Sequence, residues 1–428
     1  MSLKERKFDY KWVILVLCFL MVFVCLGFCS STKGLYLDVI TKAWNIPRTQ
    51  FSFNDSCRFI SSAIINLFFG SLVYKFGLRK MTAFGFLMLI ASMLTYAFAP
   101  NVVVFCIGGA LLGIGLTFTT TTMASSIIRR WFKKDIGKYT GIVFAANGVG
   151  GAVATQIISP MLSKSTFSYK SSYIFVAVLL LILGTIMVIF LRERPKNDTL
   201  EITPSGKKKA RGSSWVGIEY ATAKKRPYFY LTLVVVFLTG FSLQGIVGVY
   251  KAHMSDVGLN GQLITNIVSI YSLSLTATKI LVGALYDRFN LRQVMIVCQS
   301  SAILAFLILA FIAPNTTGTV LGFVFAFAFE LALPLETLVI PLIANDLFGN
   351  ANYDKILGIL IAANYAGYAV GAPSVNLSFD ILGTYQPVLI VLSCVMLVSC
   401  VIFQFVINTA WKEKNSIIAA AAQEAKEV

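Results

Sequence analysis

Lys279 and Glu336 are charged side chains set deep within long apolar runs, and a handful of polar residues lie at similar depth. The rise of a helix places them. Lys279 stands eight residues before Asp287, about 12 Å from the edge of its run, and Glu336 stands ten before Asp346, about 15 Å. Asn147 follows Lys138 by nine residues and Asn364 follows Lys355 by nine, each about 14 Å in, while Thr121 precedes Arg129 by eight, about 12 Å. In a hydrocarbon layer about 30 Å thick, these five form a polar stratum near the centre. A charge there costs at least ~2.5 kcal/mol, so it must face an aqueous cavity or a partner. Lys279 therefore either neutralises an anionic solute or forms a buried structural pair with Glu336. Glu336 has three readings: solute contact, titrating proton site, or partner of Lys279. Asn147 and Asn364 either line a pocket or hydrogen-bond neighbouring helices.

Other charges lie in the runs. Asp55 and Arg58, three apart on one helix face, can pair locally. Lys33 and Glu330 sit in the outer halves of their runs. Lys33 either attracts anions at an entrance or snorkels to the interface. Asp55, Glu330 and Glu336 are the candidates for coupling to protons. His253, the single histidine, stands at the outer end of its run, where an interfacial role outweighs proton relay. The eight cysteines have no metal-ligand spacing and read as free thiols packed among helices. The sequence calls for no metal, no cofactor and no enzymatic chemistry. Without a phosphate-binding glycine loop, ATP is not the energy source, so any transport is coupled to a gradient of ions or solutes or is merely facilitated.

The elements that hold these residues follow from composition. Of 428 residues, 57% are hydrophobic and 13% charged, with a mean hydropathy of +0.78. Soluble domains carry about 25% charge, and the apolar residues suffice for about twelve spans of about 20. Spanning runs read as 12–34, 51–73, 80–99, 102–127, 139–162, 171–191, 228–251, 262–286, 293–313, 318–344, 357–378 and 386–409. The first is too long for a signal segment and is expected to remain as helix one. The fold class is thus an all-α membrane protein of twelve transmembrane helices in two six-helix bundles. Residues 1–191 form the first bundle, 192–227 a cytoplasmic linker with a short interfacial helix over 215–223, and 228–428 the second bundle with a short tail.

Charge orients the chain. Of 36 Lys and Arg, 28 fall in the termini, the linker and the loops on their side, so that side is cytoplasmic. This distribution explains the net charge of +17 without nucleic acid. A cell membrane, plasma or bacterial inner, is the expected location. The halves also repeat. Gly70-Ser-Leu-Val-Tyr-Lys-Phe-Gly-Leu-Arg79 returns 213 positions later as Gly283-Ala-Leu-Tyr-Asp-Arg-Phe-Asn-Leu-Arg292, and the run around Asn147 matches that around Asn364. Two related bundles about a midplane site are the layout of secondary transporters.

Both copies of that loop resemble the Gly-x-x-x-Asp-Arg-x-Gly-x-Arg signature of the major facilitator superfamily. The resemblance implies a gating role for Gly70, Lys75, Arg79, Asp287, Arg288 and Arg292, with the acidic position latching the halves together. That position is Tyr74 in the first copy and Asp287 in the second. Three stretches are similar to the monocarboxylate transporter and oxalate–formate antiporter group: Arg130-Trp131-Phe132 with Gly137 and Gly141, the Ala-Ala-Asn-Gly-x-Gly run of helix five, and Arg226-Pro227-Tyr228-Phe229-Tyr230. The group carries a carboxylate-binding cation eight positions before the loop Asp, which here is Lys279. Its oxalate-walling aromatics map to Thr121, Asn147 and Thr337, which makes oxalate itself a poor fit. The implied function is transport of small organic anions, chiefly monocarboxylates, by proton symport or exchange with a counter-anion, by a monomer. An exporter of amphipathic drugs or cations and a non-transporting membrane sensor are the alternatives.

Overall fold

The computed structural model describes residues 10–46, 48–132, 134–163, 169–193 and 217–424. Apart from short connections these are helical. Most of the expected linker, including its three-lysine run and Trp215, lies outside them.

Twelve long helices order the chain: α1 Lys11–Ser31, α2 Arg48–Phe76, α3 Leu78–Phe98, α4 Val102–Trp131, α5 Ile136–Ser163, α6 Tyr169–Phe190, α7 Pro227–Asp256, α8 Gly261–Phe289, α9 Leu291–Phe311, α10 Thr316–Thr337, α11 Tyr353–Leu382 and α12 Gln386–Glu424. Eleven are long and apolar enough to cross a membrane. The twelfth, α8, has 29 residues, about 44 Å at helical rise, and carries Lys279. Large apolar side chains such as Leu181, Val401 and Phe405 face outward, as a lipid solvent permits.

Packing repeats with an offset of six helices. In the first half α1 packs on α5, α2 on α4 and α3 on both α4 and α6; in the second, α7 packs on α11, α8 on α10 and α9 on both α10 and α12. The halves meet along α2–α11 and α5–α8. Glycines permit that approach: a Cβ at Gly137 would come 2.6 Å from the Gly283 carbonyl, and one at Gly70 would strike the backbone of Lys355.

Several spans depart from their expected straight form. α1 passes through a π turn at Gly27–Ser31 and continues as a second helix, Lys33–Trp44, well beyond residue 34. α4 breaks at Thr120 (φ −130°, ψ −135°) before resuming as Thr121–Trp131. Its threonines turn back on their own helix there, Thr119 donating to the Gly115 carbonyl (2.8 Å) and Thr120 to that of Leu116 (2.5 Å), which competes with the regular ladder. α10 is interrupted at Leu333, 213 residues after Thr120, where Pro334 removes a donor; short turns and Val339–Phe348 complete the crossing. α12 spans 39 residues, about 58 Å, far more than the layer needs. Beyond residue 409 the expected short tail is helix. It is tethered by Lys414 to Asp346 (2.7 Å) and by Glu413 to Arg226 (2.6 Å).

Candidate functional site

The helices hold two charged clusters, one per half. In the second half α8 contributes Lys279, 3% exposed, and α10 contributes Glu330, wholly buried, with Glu336 six residues on, past the break. Glu330 is the charge that acts most on Lys279, ahead of Glu336. Among the described residues no ion pair joins Lys279 to either carboxylate. Both oxygens of Glu330, Oε1 of Glu336 and the Thr337 hydroxyl are buried without a hydrogen-bond partner in the protein. Tyr250 of α7 and Tyr271 of α8 lie in the field of Glu330, and Tyr368 of α11 lies near Glu336. The Lys279 carbonyl would meet a Cβ at Gly141 of α5 at 2.6 Å, so this lysine sits on the seam between the halves.

The first-half cluster is knit together. Asp55 pairs with Lys33 at 2.7 Å and, as its spacing predicts, with Arg58 at 3.2 Å. Lys33 also donates to Asn54 (2.7 Å), which accepts from Tyr96 (2.9 Å) and donates to the Phe105 carbonyl (2.6 Å). Arg58 donates to Ser30 at 2.7 Å. Lys33 is thus held on α2 by an ion pair and a hydrogen bond.

The remaining candidates divide. Asn147 accepts from Ser31 of α1 (3.1 Å) and stays half-exposed. Thr121 opens the second segment of α4 and is also half-exposed. Asn364 is buried, donating to the Val236 carbonyl at 3.2 Å against Gly240, so it ties α11 to α7. His253 bonds the Leu309 carbonyl (2.8 Å) inside the second half.

At the end carrying the two repeated loops, Asp287 accepts from the backbone N–H groups of Gly137 (3.0 Å) and Lys138 (2.6 Å). It thus holds the start of α5, where a helix N-terminus favours an anion. Tyr74 is 71% exposed and holds nothing comparable. On that side Arg130 pairs with Asp354 at 2.7 Å and Arg129 lies over the Tyr353 ring at 4.1 Å, both from the end of α4 to the start of α11. Sequence reasoning missed this second latch, although Arg130 was part of the family-like run. Arg79 instead bonds the Val188 carbonyl, Arg292 bonds Asn408, and Lys75 and Arg288 lie over neighbouring phenylalanines, so these four act within their own halves. A cavity of about 560 Å³ at this end, lined by Asp287, Arg288, Asp346 and Trp411, lies away from Lys279.

Known proteins share this architecture. The family model of the Major Facilitator Superfamily matches residues 15–332 and again 232–423. An uncharacterized transporter of that type from Bacillus subtilis, YcxA, is 24% identical over 402 residues, covering 91% of this chain and 92% of its own. Multidrug resistance protein 2 of the same organism is 24% identical over 84% of this chain and 86% of its own. The crystal structure of FucP in the outward conformation superposes with a TM-score of 0.71 at 14% identity, covering 93% of this chain and 99% of that one. A multi-pass membrane protein built of two six-helix halves, with a polar layer between them, this chain belongs to the major facilitator superfamily of transporters.

Proposed function

We propose that this chain moves small organic monocarboxylates together with protons, and that Lys279 receives the carboxylate. The observation that carries the reading is a cluster of a buried ammonium, a buried carboxylate (Glu330) and a half-buried one (Glu336) in which no ion pair forms. With both glutamates ionised, the cluster bears one net negative charge and repels an anion. With both protonated, the Lys279 charge stands alone and attracts one. Proton uptake and anion binding thus favour each other, a coupling that supports symport over exchange. Glu330, whose field dominates at Lys279, is the leading proton carrier, with Glu336 second and Asp55, held by two cations, last. Asn147, Thr121 and Thr337 supply hydrogen bonds to the solute, and Asn364 shapes the wall.

In this reading residues 1–191 and 228–428 rock about the layer as a monomer, joined by 192–227. Both termini and the linker are cytoplasmic in a plasma or bacterial inner membrane, by the excess of basic residues on that side. The latched end is then the cytoplasmic one and the structure faces outward. Cysteines placed in the linker, with the eight native ones replaced, should stay unreactive to an impermeant reagent outside intact cells. Labelling there would reverse the orientation.

The functional test is uptake of labelled short monocarboxylates by purified protein in liposomes under an inward proton gradient. The gradient should accelerate uptake, Lys279→Ala and Lys279→Gln should abolish it, and Lys279→Arg should retain part. A second reading, export of amphipathic drugs or cations, has its own support. Two ionised glutamates beside Tyr271, Tyr365 and Tyr368 would suit a cation, and a multidrug resistance protein is among the similar chains. Transport of a lipophilic cation without any carboxylate uptake would establish it.

A further inference from the structure

The chain that leads into α7 is seated on the residues that carry the second latch. Residues 217–226 pass through a short helix, Tyr220–Ala223, and lie against residues 348–355, where the α10 crossing ends and α11 begins. The Ile218 N–H donates to the Phe348 carbonyl at 2.9 Å, and the Tyr220 N–H donates to Oδ1 of Asn352 at 2.7 Å. The Lys355 ammonium lies over the Tyr220 ring at 4.0 Å. Ile218 and Ala223 are buried. Gly217 makes the approach possible. It holds φ +96°, and a Cβ there would stand 2.5 Å from the Phe348 carbonyl oxygen and 2.6 Å from the Asn350 nitrogen.

The same residues 348–355 face the first half. Asp354 takes Arg130, and the backbone of Lys355 meets Gly70. The latch acid is therefore flanked, at 352 and 355, by the two side chains that grip Tyr220. Asn352 stands just before α11 and is of a type that caps helices well, yet its side chain makes no cap bond there. Its oxygen goes to Tyr220 instead. Once Tyr220 withdraws, that oxygen is free to cap α11, which offsets the lost bond and keeps docking reversible.

We infer that residues 217–223 are a strap that holds the start of α11 in the shape Arg130 and Gly70 meet, so that docking of the strap and closing of the latched end favour each other. Asn352 and Tyr220 are its positioning residues. A loop left unpinned must be ordered again each time the halves close, at a cost in backbone entropy. Such coupling is reciprocal: lifting the strap loosens the latch, and breaking the latch loosens the strap. The linker thereby becomes a control point of the conformational cycle, whichever solute is carried.

The test needs no solute. Hydrogen exchange is followed in the full-length protein in lipid discs. The reporter is the first-half stretch 128–138, which holds Arg130 and the two amides bonded by Asp287 and touches no strap residue through any bond described above. Gly217→Ala alters neither Asn352 nor any latch residue. It should lift the strap and speed exchange in 128–138 by about two- to fivefold, the effect of one lost hydrogen bond. Asn352→Ala should do the same, whereas Asn352→Asp keeps an acceptor and should match the wild type. Tyr220→Phe keeps the ring and the N–H and should also match it. In the reverse direction, Asp354→Asn should speed exchange at Ile218 and Tyr220 by a similar factor. A segment that merely packs would exchange faster in Gly217→Ala while 128–138 stayed as in the wild type. That result, or an unchanged strap in Asp354→Asn, overturns the inference.

Discussion

The two halves each gather three charges and treat them differently. Lys33, Asp55 and Arg58 touch one another at 2.7 and 3.2 Å, with Asn54 and Ser30 completing the shell. Lys279 and Glu330 are more deeply buried and Glu336 half-buried, yet no ion pair among them forms, and carboxylate oxygens are left without partners. Direct pairing fixes each charge, because removing a proton or a partner strands its neighbour in low dielectric. Separation leaves several charge states within reach, and a solute or a proton can choose among them. The first cluster is built to hold a shape and the second to change.

That contrast breaks most sharply at Lys279. Lys279→Ala should lower carboxylate uptake by about a hundredfold or more, equivalent to the ~3 kcal/mol or more of a stranded buried charge. The informative companion is Lys279→Ala with Glu330→Gln, since Glu330 is the acid that acts most on this lysine. If the double variant stays inactive while its yield recovers, and Glu330→Gln alone still carries the carboxylate down its own gradient, Lys279 serves the solute. Recovered uptake would make it a structural counter-charge, no different in kind from Lys33. Lys279→Ala with Glu336→Ala is the control for the weaker partner.

Asp55→Asn should do the opposite. It removes the acid between two half-buried cations, so the melting temperature and yield should fall, by a cost of about 1 kcal/mol. The pH profile of the surviving protein should match the wild type. Adding Lys33→Gln should restore part of the stability. A shifted pH profile with unchanged stability would move Asp55 into the coupling machinery and erase the difference between the halves.

Depth was legible in the sequence, and azimuth was not. Counting from Asp287 and Asp346 places Lys279 and Glu336 in one layer, which made Glu336 the natural partner. The count assumes a straight α10. The chain breaks at Leu333, between the two glutamates, and brings Glu330 to bear on Lys279 despite six residues of separation. Pro334 gave a hint of that break; nothing comparable marks the break of α4 at Thr120, whose flanking threonines back-bond as others do in unbroken helix. The pairing of Lys33 with Asp55 was not legible for a related reason. A π turn shifts the face of every later residue in α1, and nothing in Gly27–Ser31 announces one. The twelve runs and the internal repeat needed only apolar length and self-similarity, and these survive local irregularity.

The smallest expected effects concern the latches, and they set a second comparison between the halves. Asp287 holds the backbone at the start of α5, whereas its first-half counterpart Tyr74 faces outward. Asp287→Asn keeps one acceptor oxygen and loses the charge that a helix N-terminus favours, a loss of about 1 kcal/mol. It should slow transport severalfold and speed opening of the latched end. Tyr74→Phe should change nothing measurable. The first half is not without a latch, however, because Arg130 reaches Asp354 across the same seam at 2.7 Å. Both side chains are partly exposed, so the pair is worth no more than about 1 kcal/mol, and Asp354→Asn should match Asp287→Asn in size. The double variant decides between two arrangements. Additive slowing means that α5–α8 and α2–α11 open independently. A double no slower than either single means that one rigid motion breaks both, so the loss of the acidic residue at position 74 has been offset by Arg130.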